Sequence, residues 1–213
     1  MRFELHPDNP QVRHLKKILE VFRQDGILIY PTDSGYSLGC NVHSKKALNR
    51  LYHIKRGLKK YVMAILVPDF SSISEFAHVD NFAFRTMKLL APGPYTFILP
   101  ATVKAKRILD VNRPEIGIRM PQCAFLTALY TLENNLVFLN TAAKIEESKN
   151  YEDPDEIEKV FGHQVDLIAD MGIIPVAPTT ILSLVDGGIE VIREGAGPLP
   201  DQKHKNSQGL YKS

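Results

Sequence analysis

Six residues stand at or beside the ends of apolar runs and carry groups that bind anions: Thr32 after "ILIY", Thr96 near the start of "YTFIL", Arg119 in "IGIRM", Thr141 closing "LVFLNT", Thr179 before "TILSLV" and Arg193 in "IEVIRE". Hydroxyls and guanidinium groups suit a ligand that carries carboxylate and phosphate, because arginine presents a planar fork of donors matching both. In an open α/β sheet the carboxyl ends of strands converge on the crevice where ligands bind. That rule predicts that Thr32, Arg119, Thr141 and Arg193 meet in one place. A single strand-end arginine more often pairs with a surface acid; recurrence of the pattern is what argues for a site.

The segment "YPTDSGYSLGC" adds weight. Between Pro31 and Gly39 it displays Thr32, Asp33, Ser34, Tyr36 and Ser37, more polar groups than a turn requires. It reads as a polar loop forming one wall of a small-molecule site, with glycines that let the chain turn closely. Several other chemistries lack their residues. There is no glycine-rich phosphate loop and no dinucleotide fingerprint, and no metal site is expected, because the histidines show neither paired helical spacing nor nearby cysteine partners. Ser34 lacks the flanking glycines of a nucleophile elbow.

The elements that must position these groups alternate. Val12, Leu15, Ile18, Leu19 and Phe22 share a helical face, with Gly26 placed to cap its end, and a strand follows from Ile27 to Tyr30. Ser44 can cap a second helix whose Leu48, Leu51 and Tyr52 face inward, and "VMAILV" at 62–67 reads as a buried strand. Asp80 can cap a helix through Leu90, "AFLTALYTLENN" reads as another, and Asp153 followed by Pro154 and Glu156 announces a third. The runs "YTFIL", "IGIRM", "LVFLNT", "VDLIAD", "TILSLV" and "IEVIRE" read as strands, the last two joined across "DGG" as an antiparallel hairpin. The expectation is an α/β fold with a mixed sheet, one domain over residues 1–199, and a disordered tail over 200–213, where apolar residues are scarce.

Length and composition are compatible with this. The 213 residues are 44% hydrophobic, enough for a proper core, and the formal net charge is +2. Charge is nevertheless uneven. No acid occurs from Asn41 to Pro68, where Lys45, Lys46, Arg50, Lys55, Arg56, Lys59 and Lys60 fall, while acids gather between Glu146 and Glu158. Such a stretch is either a solvated helix face or a basic cavity wall. Two cysteines without metal or redox spacing fit a reducing compartment, and no apolar run approaches the ~18 residues of a membrane span, so a cytoplasmic protein without membrane partners is expected.

Taken in order, "GILIYPTDSGYSLGC", "HIKR", "APGPYTFIL", "IGIRMP", "PTTILSLVD" and "IREGAG" resemble the YrdC/YciO family over nearly the whole chain, and its YciO branch most. The resemblance implies a twisted, open, mixed sheet with flanking helices around a large basic cavity. The family's best-known members are threonylcarbamoyl-AMP synthases. These combine threonine, bicarbonate and ATP, release pyrophosphate, and supply the group that modifies a tRNA adenosine next to the anticodon. Carried over by motif, Thr32 would contact threonine, Arg119 would hold its carboxylate, and Thr179 would complete the substrate pocket, to which Thr141 would add from its strand end. Lys55 would be the catalytic cation, and Lys55 and Arg193 would contact nucleotide phosphates that bring Mg2+ with them.

The chain departs from the synthase pattern at two places. Where the synthases have Lys-x-Arg, this chain reads "KRG" from Lys55, so Gly57 stands at the arginine position and Arg56 lies one residue early, rotated by about 100° on a helix. Where they have Ser-x-Asn, it reads "AAK", with Ala142 and Lys144. Lys144 could supply a phosphate contact of its own. Two expectations follow: a nucleotidyltransferase of the synthase type, slowed or altered by these changes, or a double-stranded RNA or tRNA binding module without that activity.

Overall fold

In the computed structural model, which describes residues 1–56, 63–109, 113–144 and 149–199, ten strands form one mixed sheet. The expectations for Gly57, Lys59, Lys60 and the tail over 200–213 lie outside the described residues. At the centre of the sheet β2 (Leu28–Thr32) and β3 (Gly35–Asn41) form a hairpin. It is followed across the sheet by β7 (Phe138–Ala142), β4 (Ala64–Leu66), β6 (Glu115–Arg119) and β5 (Tyr95–Pro100). Beyond β2 lie β8 (Leu167–Asp170) and β1 (Arg2–Glu4); beyond β5 lie β9 (Thr180–Ser183) and β10 (Glu190–Arg193). Strands β9 and β10 pair antiparallel, as "DGG" suggests, with Gly187 at φ +68° in the turn.

Side chains alternate between the two faces of a strand, and the core divides accordingly. One face takes Leu28, Tyr30, Leu66 and Phe138 into a cluster with α1 (Val12–Arg23) and α5 (Ala124–Leu132). The other takes Ile29, Leu38, Ile65 and Ile118 into a larger cluster with α2 (Lys45–Lys55), α3 (Asn81–Leu90), α4 (Val103–Leu109) and α6 (Pro154–Phe161). Capping follows the expectation at three helices: Ser44 accepts from the Ala47 N–H, Asp80 from that of Ala83, and Asp153 from that of Asp155. Among the described residues no helix is long and apolar enough to cross a membrane.

Several local expectations are corrected. The strand from Ile27 does not stop at Tyr30. It continues through Pro31 to Thr32, and the supposed polar loop is a tight turn followed by the buried strand β3. Proline is tolerated in β2 because pairing with β8 involves only Leu28 and Ile29, so Pro31 lies beyond that ladder. Val12 opens α1 but is 53% exposed rather than on the inward face. The left-handed residue after α1 is Asp25 at φ 62°, not Gly26. Gly26 is needed for a different reason: its N–H donates to Val21 O at 2.9 Å, and a Cβ there would lie 2.4 Å from Val21 Cγ1. The sequence reading also lacked β1 and α4. Arg2 fastens β1 to α6 and β8 through Asp155, Glu158 and Asp170, which accounts for part of the acidic run.

Candidate functional site

The central strands leave a trough on the face shared with α1 and α5. Register places Asn140 beside Ala64 and Ala64 beside Gly117, a row with little side-chain bulk, and Arg119 follows Gly117 by two residues on the same face. Phe97 pairs with Ile118, which sets Thr96 beside Arg119. Over this row lies a cavity of about 260 Å³. Its walls come from the hairpin (Ser34, Tyr36, Ser37), the end of β7 (Thr141, Ala142, Lys144), the loop before β9 (Val176, Pro178, Thr179), and Lys55 and Arg193. Among the described residues the charged ones lining it are Lys55, Arg119, Lys144 and Arg193, and none is a carboxylate.

Lys55 ends α2 and is only 1% exposed. A helix carboxyl terminus favours a cation, and the Nζ donates to Ala142 O at 2.9 Å and Lys144 O at 2.6 Å. The ammonium therefore ties α2 to the exit of β7. Burial, and then repulsion by Lys144, pull its pKa down to about 8. The free protein should lose this charge as pH rises through about 8, whereas an anion bound beside it favours the charged form. Anion binding above that pH must then take up a proton, and affinity should fall by up to about tenfold per pH unit. Calorimetry with inorganic sulfate, which does not itself titrate there, in buffers of different ionisation enthalpy near about pH 9, measures the uptake. An affinity flat across that range would contradict it.

Arg119 is 5% exposed and its Nη2 donates to Asp33 Oδ1 at 2.6 Å. Burial works against its charge and Asp33 works for it. Its Nε is buried with no hydrogen-bond partner among the described residues. Arg193 reaches back from β10: Nε and Nη2 donate to Thr179 O at 3.0 and 2.7 Å, and Nη2 lies 3.1 Å from Thr179 Oγ1, which shares a 2.9 Å hydrogen bond with Thr96 Oγ1. Antiparallel pairing brings the start of β5 alongside the end of β6, so Thr96 and Thr179, at strand starts, join groups at strand ends. A rule for parallel sheets does not provide that.

Of the residues singled out from sequence, Lys55, Arg119, Thr141, Lys144, Thr179 and Arg193 come together around the cavity. Thr32 stands behind its wall. Its Oγ1 donates to Gly35 O at 2.8 Å and lies 3.1 Å from Ser34 Oγ and 3.5 Å from Ser37 Oγ, two groups that line the cavity. Arg56 is exposed at the C-cap of α2 and is not part of the lining. Asn140 escaped the sequence reading; Tyr30 Oη donates to its Oδ1 at 2.8 Å and fixes the amide at the cavity. The signal was a polar residue inside the apolar run "LVFLN". With cations and hydroxyls in the lining, the site is equipped to bind and align anions.

A family model for the Sua5/YciO/YrdC domain, described as telomere recombination, matches residues 20–195. The chain is 39% identical over 197 residues to the protein YciO of Escherichia coli, covering 92% of this chain and 95% of that one. The crystal structure of E. coli YciO superposes with a TM-score of 0.84, covering 93% of this chain and 97% of that one. Similarity extends to a threonylcarbamoyl-AMP synthase of Vibrio vulnificus, 21% identical over 160 residues, 74% of this chain and 86% of that one. The fold is also that of P. abyssi Sua5 complexed with L-threonine, at a TM-score of 0.85 and 19% identity, covering 100% of this chain and 62% of that one.

Proposed function

Because the chain belongs to the Sua5/YciO/YrdC family, we propose that it is a cytoplasmic nucleotidyltransferase of the threonylcarbamoyl-AMP synthase type. Threonine, bicarbonate and ATP are its substrates, pyrophosphate is released, and the product serves tRNA modification at a rate reduced by "KRG" and "AAK". The observation that carries the reading is the cavity into which four cations, Lys55, Arg119, Lys144 and Arg193, converge. Kinship to a threonylcarbamoyl-AMP synthase and the threonine bound to a protein of the same fold supply the substrate class.

The chemistry matches what these residues can do. The amine of threonine adds to bicarbonate carbon, water leaves and a carbamate forms. A carbamate oxygen then attacks the α-phosphorus of ATP, the bond to the bridging oxygen breaks, and pyrophosphate departs. Both partners of the second step are anions, so Arg119 on the threonine carboxylate and Lys55, Lys144 and Arg193 on phosphates would offset their repulsion and hold them in line. No covalent intermediate with the protein is required. Magnesium would arrive on the nucleotide; among the described residues the lining offers no carboxylate to hold it. The decisive assay is pyrophosphate release dependent on both threonine and bicarbonate; background release from folded protein with magnesium present would refute the reading.

A second reading is a double-stranded RNA or tRNA binding module without synthase activity. It draws on the paired helices α2 and α4, which contain no acid and expose Lys45, Lys46, Arg56, Lys104 and Arg107. Phosphate-driven binding would weaken steeply with salt and on Lys45→Ala with Lys46→Ala; a flat salt dependence would remove this reading.

A further inference from the structure

The tip of the β2–β3 hairpin does more than line the cavity. Asp33 sits in that turn and divides its carboxylate between two partners: Oδ1 accepts from Arg119 Nη2 at 2.6 Å, and Oδ2 accepts from the Gln122 N–H at 2.9 Å. The Asp33 side chain is 10% exposed, so the pair is held largely away from water, where a charge-assisted bond is directional and strong. The turn that carries it is itself constrained. Thr32 Oγ1 donates to Gly35 O and accepts from the Ser34 N–H, and Gly35 adopts φ +105° beneath Val176, a conformation a side chain would strain. The unpartnered Nε of Arg119 therefore belongs to a guanidinium already gripped at Nη2.

We propose that Asp33 is the positioning residue for Arg119: it grips Nη2 from the hairpin and so fixes the orientation in which the guanidinium meets the carboxylate of the bound amino acid. The amino-acid ligand rests on the synthase reading above; the grip itself does not. Without Asp33 the guanidinium would be free to turn any of its donors toward the ligand, and the distance from Arg119 to the wall at Ser34 would no longer be set by one carboxylate. Asp33 also offsets one of the four cavity cations and so reduces the cost of burying a guanidinium before ligand arrives.

Asp33→Asn tests this, because the amide keeps the shape and an acceptor oxygen while losing the charge. L-threonine titrated calorimetrically should bind the variant about tenfold to a hundredfold more weakly, while ATP affinity stays within about twofold. In steady state the KM for threonine should rise far more than kcat falls; equal losses for both substrates with a lowered Tm would mark Asp33 as merely structural and overturn the proposal. A second measurement needs no ligand. In nitrogen-15 spectra with Arg119 assigned through Arg119→Lys, a gripped guanidinium rotates slowly and shows separate Nη signals, which should merge in Asp33→Asn. Unchanged Arg119 signals would overturn the grip. If threonine failed to bind even the wild type, the substrate reading would fall, and merged signals would still uphold Asp33 as the group that orients Arg119.

Discussion

Lys55→Met should lower threonine-dependent pyrophosphate release by about 10²- to 10³-fold, about 3–4 kcal/mol of transition-state stabilisation. Methionine resembles lysine in length and suits the buried path that Lys55 follows, so the change removes charge and donors with little change of volume. Two effects combine. A cation disappears from the place where two anions must approach, and the carbonyls of Ala142 and Lys144 lose the donor that fixes the β7 exit. The second effect should also appear as lower stability, by about 1–3 kcal/mol, in chemical denaturation. The pH profile of kcat/KM separates them: its loss through about pH 8 reflects Lys55 in the free parent and should be missing from the residual kcat/KM of the variant. A rate within about threefold of the parent would show that the cavity does not use Lys55.

The sequence was informative about this site where a residue's chemistry is unusual for its place. An arginine in "IGIRM" is an anomaly in a core and is buried at the cavity; Lys55, whose role comes only from the motif resemblance, is buried there too. Strand β3 was harder to see. Tyr36, Leu38 and Cys40 alternate with Ser37 and Gly39, the period of a strand, but serine and glycine usually mark turns. Here they serve the opposite purpose. A Cβ at Gly39 would lie 2.6 Å from Tyr30 Oη, so glycine makes room for the tyrosine that fixes Asn140, while Ser37 turns its hydroxyl to the cavity. The Asp33 link to Arg119 spans residues far apart in sequence and depends on register, which no local pattern encodes. Nor could spacing alone show that Thr32 supports the wall from behind, since that follows from the tightness of the turn.

Replacing "AAK" by the synthase pattern, through Ala142→Ser with Lys144→Asn, should raise the synthesis rate by about tenfold to a thousandfold. Both positions line the cavity, so the new hydroxyl and amide would enter it directly. The backbone there should hold, because the bonds fastening it run from Lys55 Nζ to the carbonyls of residues 142 and 144 and from the N–H of residue 144 to Ala142 O, none of which uses the exchanged side chains. Lys144→Asn alone has a separate signature. Lys144 is one of the two causes that hold the Lys55 pKa down, so removing its charge should move that pKa up and carry the alkaline limb of the rate profile to higher pH. The same change withdraws a cation from the phosphates, so the KM for ATP should rise even as kcat increases. If the double variant is no faster than the parent, while its alkaline limb has moved as expected, then Ala142 and Lys144 are not what slows the reaction, and the departure at "KRG" is left to account for it.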